Sequence, residues 1–135
     1  MIDWLLPLQL VSPNVQQHWT KRHKRNKRNA ALVVSKWNLE ARKPQPPCVV
    51  LLDRLYCSRS KPMDEDDNLR MAFKGIKDAI ADLIVPGLQA GRADDAIFGI
   101  SWRYSQTTAK MNGVRITIKE GWLYEGPAFI LPSHD

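Results

Sequence analysis

Cys48-Val49-Val50-Leu51-Leu52-Asp53-Arg54-Leu55-Tyr56-Cys57 is the stretch from which the fold is read. It is apolar without a break from Cys48 to Leu52. Lys43-Pro44-Gln45-Pro46-Pro47 bounds it in front, and the polar, basic run Ser58 to Pro62 follows it. Punctuation of that kind around a β-branched, apolar core reads as one long strand. Consecutive apolar residues put hydrophobic groups on both sides of a strand, so this one is expected to be central and covered on both faces.

Before this strand, residues 3–10 alternate as a first strand, with Pro7 marking an edge position or a bulge, and Val11-Ser12-Pro13-Asn14 turns the chain. Neither Gly nor Pro occurs from Gln17 to Arg42, and Ala30, Val33, Val34, Trp37 and Ala41 follow helical spacing. A helix is expected over the second half of that run. The basic residues ahead of it form either its first turns or an arm leading into it.

After the central strand, Leu69, Ala72, Phe73, Ile76, Ile80, Leu83 and Ile84 keep a 3.6-residue period. They predict one amphipathic helix over 65–84, stopped by Pro86 and Gly87. Ile97 to Tyr104 and Gly113 to Lys119 alternate as two strands, with Ser105 to Asn112 as the hairpin loop between them. The tail 121–135 is apolar but irregular, suited to packing on a sheet edge or on a second subunit. Strand–helix–strand–helix–strand–strand predicts a single α/β (α+β) domain over 1–135, a small mixed sheet with two main helices.

At 135 residues, with 44% hydrophobic and 25% charged, the composition is that of a soluble globular domain large enough for a proper core. The apolar run Trp4 to Leu10 is too short for a signal sequence and lacks a basic lead, and nothing reaches membrane-spanning length. The expected location is the cytoplasm, with no membrane partner. Cys48 and Cys57 lie an odd number of residues apart on one strand, so they face opposite sides and do not bridge. His18 and His23 have no companion at metal-ligand spacing.

The net charge of +6 has one source. Lys21-Arg22-His23-Lys24-Arg25-Asn26-Lys27-Arg28 carries six of the 20 basic residues, and the other fourteen balance the fourteen acids. A basic arm over 20–28 is suited to a polyanion, nucleic acid before a membrane surface.

Against that background stands Asp64-Glu65-Asp66-Asp67-Asn68-Leu69, four successive carboxylates at the head of the second helix. Adjacent negative charges raise one another's pKa unless a cation joins them. The stretch is either an over-decorated helix N-terminus, where the dipole favours acids by about 0.3–1 kcal/mol each, or a site for a divalent ion. Asp67, Lys74 and Asp78, spaced seven and four apart, form one polar helical stripe. Carboxylates that hold magnesium beside a lysine suit phosphodiester hydrolysis. Lys74 and Asp78 are equally an ordinary surface ion pair.

Three pieces in order carry a resemblance: Glu65-Asp66-Asp67-Asn68-Leu69, Lys74-Gly75-Ile76-Lys77-Asp78-Ala79-Ile80 and Asp94-Asp95-Ala96-Ile97-Phe98, with Ser12-Pro13-Asn14 ahead of the basic run. Over roughly residues 5–120 the chain resembles the RusA-type crossover-junction endodeoxyribonucleases, small bacterial and phage proteins. The resemblance implies a homodimeric Holliday junction resolvase of recombination and repair, which hydrolyses four-way DNA junctions with Mg2+, or Mn2+ in its place. It implies metal carboxylates at Glu65, Asp67 and Asp95, with Asp64 and Asp94 as spares and Asp66 a bystander, and a catalytic lysine at Lys74. Implied DNA contacts are Asn14, Lys21, Arg22, Lys24, Arg25, Lys27, Arg28 and Asn68. The chain departs from the family pattern in having Glu at the first carboxylate position and the lysine six residues after Asn68. The alternatives are a non-catalytic DNA-binding protein and a magnesium nuclease of broader substrate range.

Overall fold

A computed structural model describes residues 1–11, 19–57, 62–63, 68–87 and 99–121. Its elements in chain order are β1 (Ile2–Leu6), α1 (Trp19–Leu39), β2 (Cys48–Cys57), α2 (Asn68–Ala72), α3 (Lys74–Ile84), β3 (Ile100–Ala109) and β4 (Gly113–Glu120). This is an α+β domain built on one mixed four-stranded sheet of order β1-β4-β2-β3.

The long apolar strand is central, as its composition predicts. β2 pairs with β3 in parallel, Val50 opposite Trp102 and Leu52 opposite Tyr104, and with β4 antiparallel, Leu52 opposite Ile116. Burial on both faces holds for Cys48, Val49 and Val50. From Leu51 onward the burial alternates: Leu52 and Arg54 point into the core while Leu51, Asp53 and Leu55 are half-exposed. Two-residue periodicity therefore takes Arg54 inward, although it marks the polar end of the apolar run.

The hairpin expected between the last two strands does not form. β3 extends through Ser105–Ala109, and β3 and β4 lie on opposite sides of β2, so the connection Lys110 to Asn112 passes the end of β2. There Asn112 Oδ1 accepts a hydrogen bond from Cys57 N at 3.2 Å. An apolar strand ten residues long is best satisfied by neighbours on both edges, and that long-range gain displaces the local pairing of two strands adjacent in sequence. The parallel β2–β3 pair needs a crossover of a dozen residues or more, which the chain carrying α2 and α3 supplies. Gly99, with φ +86°, occupies a backbone conformation that side chains rarely adopt, and its carbonyl accepts Cys48 N at 2.9 Å where β3 begins beside β2.

One sheet face carries the core: Ile2, Trp4 and Leu6 of β1, Val50 and Leu52 of β2, Ile100 of β3, and Val114, Ile116 and Ile118 of β4. The helices supply Val33, Trp37, Leu69, Phe73, Ile76, Ile80 and Ile84 to the same core. Burial alternates along residues 2–10, but β1 itself ends at Leu6, before Pro7, and it is an edge strand as the proline suggests. The opposite face of the sheet mixes Leu5, Val49, Leu51 and Leu55 with polar pairs: Arg115 donates to Asp3 at 2.9 and 2.7 Å, and Asp53 accepts from Ser105 Oγ at 2.9 Å and Thr107 Oγ1 at 3.1 Å.

α1 is longer than its apolar spacing alone predicts, and the basic run is helical rather than an extended arm. Its first turn contains no acid, so its cations oppose the helix dipole there. Packing of Asn29, Val33 and Trp37 beneath it outweighs that cost. A buried apolar side chain such as Val33 contributes roughly 1.5–3 kcal/mol, against a few tenths for an exposed charge near a helix end.

The helix expected over 65–84 is interrupted. Phe73 sits between α2 and α3 at φ −85°, ψ −5°, although Phe73 N still donates to Leu69 O at 3.2 Å and Lys77 N to Phe73 O at 2.8 Å. The Phe73 ring is fully buried and tilted against Tyr104, centroids 6.0 Å apart, so tertiary packing holds the residue where helical geometry loosens. Residues 65–67 of the expected span lie outside the described residues.

Both cysteines are free thiols. Burial, with a smaller effect from the Glu120 charge, pushes the Cys48 thiol up to about 11. Among the described residues no helix is long and apolar enough to cross a membrane.

Candidate nucleic-acid interface

Positions i, i+3, i+4 and i+7 share one side of a helix. On α1 these are Arg22, Arg25, Asn26 and Asn29, and they face Met71, Ala72, Lys74, Gly75 and Asp78 across a cleft of about 290 Å³ that Leu10 and Val11 complete. Asn29 is buried, Arg25 half-buried and Arg22 exposed, so the stripe rises from the core to the surface. Lys21, Lys24, Lys27 and Arg28 are exposed. A Cβ built on Gly75 would lie 3.4 Å from Asn26 Cγ, at van der Waals contact, so the two helices face each other closely at the cleft.

Lys74 opens α3 on the far wall. Its Nζ lies 3.5 Å from Asp78 Oδ2, and its side chain is 71% exposed. An exposed i,i+4 pair of this length contributes at most about 1 kcal/mol, so Lys74 is available to an incoming anion. Asp78 Oδ1, by contrast, is buried with no hydrogen-bond partner. Asn68 is the first residue of α2, and its neighbour Leu69 is fully buried.

On the other side of the acidic stretch, Met63 is tied to the sheet. Met63 N donates to Gln106 Oε1 at 2.9 Å, and Gln106 Nε2 donates to Met63 O at 2.7 Å. Arg54 Nη1 donates to the same Oε1 at 3.0 Å, orienting the amide. Arg54 is 6% exposed, with its guanidinium 4.9 Å from the Tyr56 ring centroid, and burial draws its pKa below the usual arginine range. Met63 is thus anchored to Gln106 of β3, and Leu69 in the core.

Of the residues expected to act, the structure brings Arg22, Arg25 and Lys74 to one cleft. Asn14, Asp64, Glu65, Asp66, Asp67, Asp94 and Asp95 lie outside the described residues. Among the described residues no three His, Cys, Asp or Glu side chains gather to hold a metal ion. Asn26 and Asn29 carry a sequence signal in their helical spacing from Arg22, whereas Gln106, within the expected loop Ser105 to Asn112, and Arg54, beyond the unbroken apolar residues of β2, carry none.

No protein-family model, curated protein or solved structure matches the chain. The likeness to the RusA-type nucleases rests on the residue pattern alone.

Proposed function

We propose that the chain is a magnesium-dependent, structure-selective endonuclease that cuts four-way DNA junctions as a homodimer. The observation that carries this reading is the cleft in which Arg22 and Arg25 of the basic helix face Lys74, seven residues after the last of four successive acids. Cations along α1 bind the phosphate backbone without reading bases. Glu65, Asp67 and Asp95, with Asp64 and Asp94 as spares, would offer magnesium the carboxylate oxygens a hard cation takes. Magnesium held there would supply Lewis-acid chemistry, lowering the pKa of an attacking water and offsetting charge on the phosphate. Lys74 stabilises the same developing charge from the cleft wall.

The test is a panel of synthetic four-way junction, duplex and flap DNA, each with and without magnesium, applied to the parent protein and Asp67→Asn. The reading requires symmetric nicking of the junction that depends on magnesium, lost in Asp67→Asn while junction binding persists. Binding without metal-dependent nicking makes the chain a non-catalytic DNA-binding protein. Equal cutting of flaps and junctions makes it a nuclease of broader range.

A further inference from the structure

Beyond the cleft, α2 and α3 carry a second cavity of about 190 Å³, lined by Arg70, Met71, Lys74, Lys77 and Tyr104. Arg70 of α2 and Lys74 and Lys77 of α3 line it together, so three cations converge on one cavity. The aromatic rings beneath hold two of them in place. The Arg70 guanidinium lies 5.4 Å from the Tyr104 ring centroid, and Lys77 Nζ lies 5.3 Å from that of Trp102. Tyr104 is backed in turn by Phe73. Cations resting on rings that are themselves packed lose less freedom on binding an anion than cations on free stems. Met71, 61% exposed, adds an apolar contact beside them.

This cavity adjoins the cleft described above. Met71 and Lys74 line both, so Lys74, paired with Asp78 of the cleft, stands between Arg22 and Arg25 on one side and Arg70 and Lys77 on the other. We infer that the α2–α3 cavity is a second phosphate-binding subsite, holding the sugar-phosphate backbone of a DNA strand after it crosses Lys74. This rests on the DNA-binding reading above and assigns the strand a path across the helices rather than along α1 alone. Charge complementarity and continuity with the cleft favour a phosphodiester backbone, whose regular charges match successive cations.

The experiment measures junction binding by fluorescence anisotropy across a salt series, with catalysis silenced by omitting divalent metal. Each lost phosphate contact lowers the slope of log K against log salt by about 0.9. Arg70→Gln with Lys77→Gln is expected to lower it by about 1 to 2, and Arg70→Lys with Lys77→Arg to restore it. Arg115→Gln with Lys119→Gln removes the same charge from the opposite sheet face and is expected to leave the slope unchanged. The subsite is overturned if Arg70→Gln with Lys77→Gln keeps the parent slope while Arg22→Gln with Arg25→Gln lowers it, an outcome that leaves DNA binding at α1 standing. It is overturned equally if the opposite-face variant lowers the slope as much, since net charge then accounts for the effect. A parent protein that binds no DNA sinks both readings.

Discussion

The Gln106 amide grips the Met63 backbone from both sides, accepting from its N–H at 2.9 Å and donating to its carbonyl at 2.7 Å. The two residues are 43 positions apart, and the first acid of the acidic stretch follows Met63 directly. A side-chain amide that satisfies both polar groups of one residue acts like a ladder partner, and Arg54 holds the amide in the required rotation. Gln106→Leu keeps the volume and removes every one of these bonds. It should destabilise the fold by about 0.5–1.5 kcal/mol, the usual net worth of hydrogen bonds between partly buried groups. Urea unfolding reads this directly, and a loss below about 0.5 kcal/mol would mean the clamp carries no weight. Under the nuclease reading, the magnesium concentration for half-maximal cutting should also rise in Gln106→Leu; an unchanged value would separate the clamp from the acidic stretch.

Lys74 and Asp78 give a second test, because their pairing is too exposed to matter much for folding. Asp78→Asn should shift stability by less than about 1 kcal/mol. Lys74→Gln should lower kcat on a four-way junction by about 10²–10³, the usual cost of one group that stabilises transition-state charge, and change KM little. A kcat within twofold of the parent removes Lys74 from the reaction.

Gly75 can be enlarged by one methyl, whose carbon would meet Asn26 at ordinary contact distance. Helix propensity favours Ala over Gly by about 0.5–1 kcal/mol, so Gly75→Ala should fold at least as stably as the parent and bind DNA equally. Gly75→Phe must displace Asn26 and fill the cleft, and should weaken junction binding at least tenfold. If the two variants bind alike, the cleft is not on the DNA path.

On the sheet face away from the core, hydrogen bonding from Arg115 holds the Asp3 carboxyl below the usual aspartate value of about 3.9. The sign follows from proton linkage. With the folded pKa depressed, the pair stabilises the fold above about pH 4, and the gain disappears as pH falls through the lowered folded value. Asp3→Asn should therefore cost up to about 1 kcal/mol at pH 7 and nothing once both states are protonated. Paired denaturation curves across that range check it; a pH-independent difference would assign the effect to packing.

The Cys48 thiol, raised to about 11 and buried, should resist iodoacetamide at pH 8 in the native protein. Cys57, only partly buried, should be alkylated first. Peptide mapping after limited alkylation distinguishes them. Preferential modification of Cys48 would show that the start of β2 opens readily.

Local pattern reached a long way into this structure. The unbroken apolar run marked β2 as central, the spacing of Val33 and Trp37 placed the buried side of α1, and Ile76, Ile80 and Ile84 did the same for α3. These signals are legible because residue periodicity is set by backbone geometry within a few neighbours. The basic block Lys21 to Arg28 and the stretch of acids were legible as patterns of charge. Other features depend on which distant segments meet. The insertion of β2 between β3 and β4, the break at Phe73 against Tyr104, the Gln106 clamp on Met63 and the meeting of α1 with Lys74 are choices among long-range partners. Their energies come from burial and hydrogen bonds between residues tens of positions apart, and no local period encodes those. Ser105 to Ala109 reads as a turn in isolation and becomes a strand only because β2 offers it an edge.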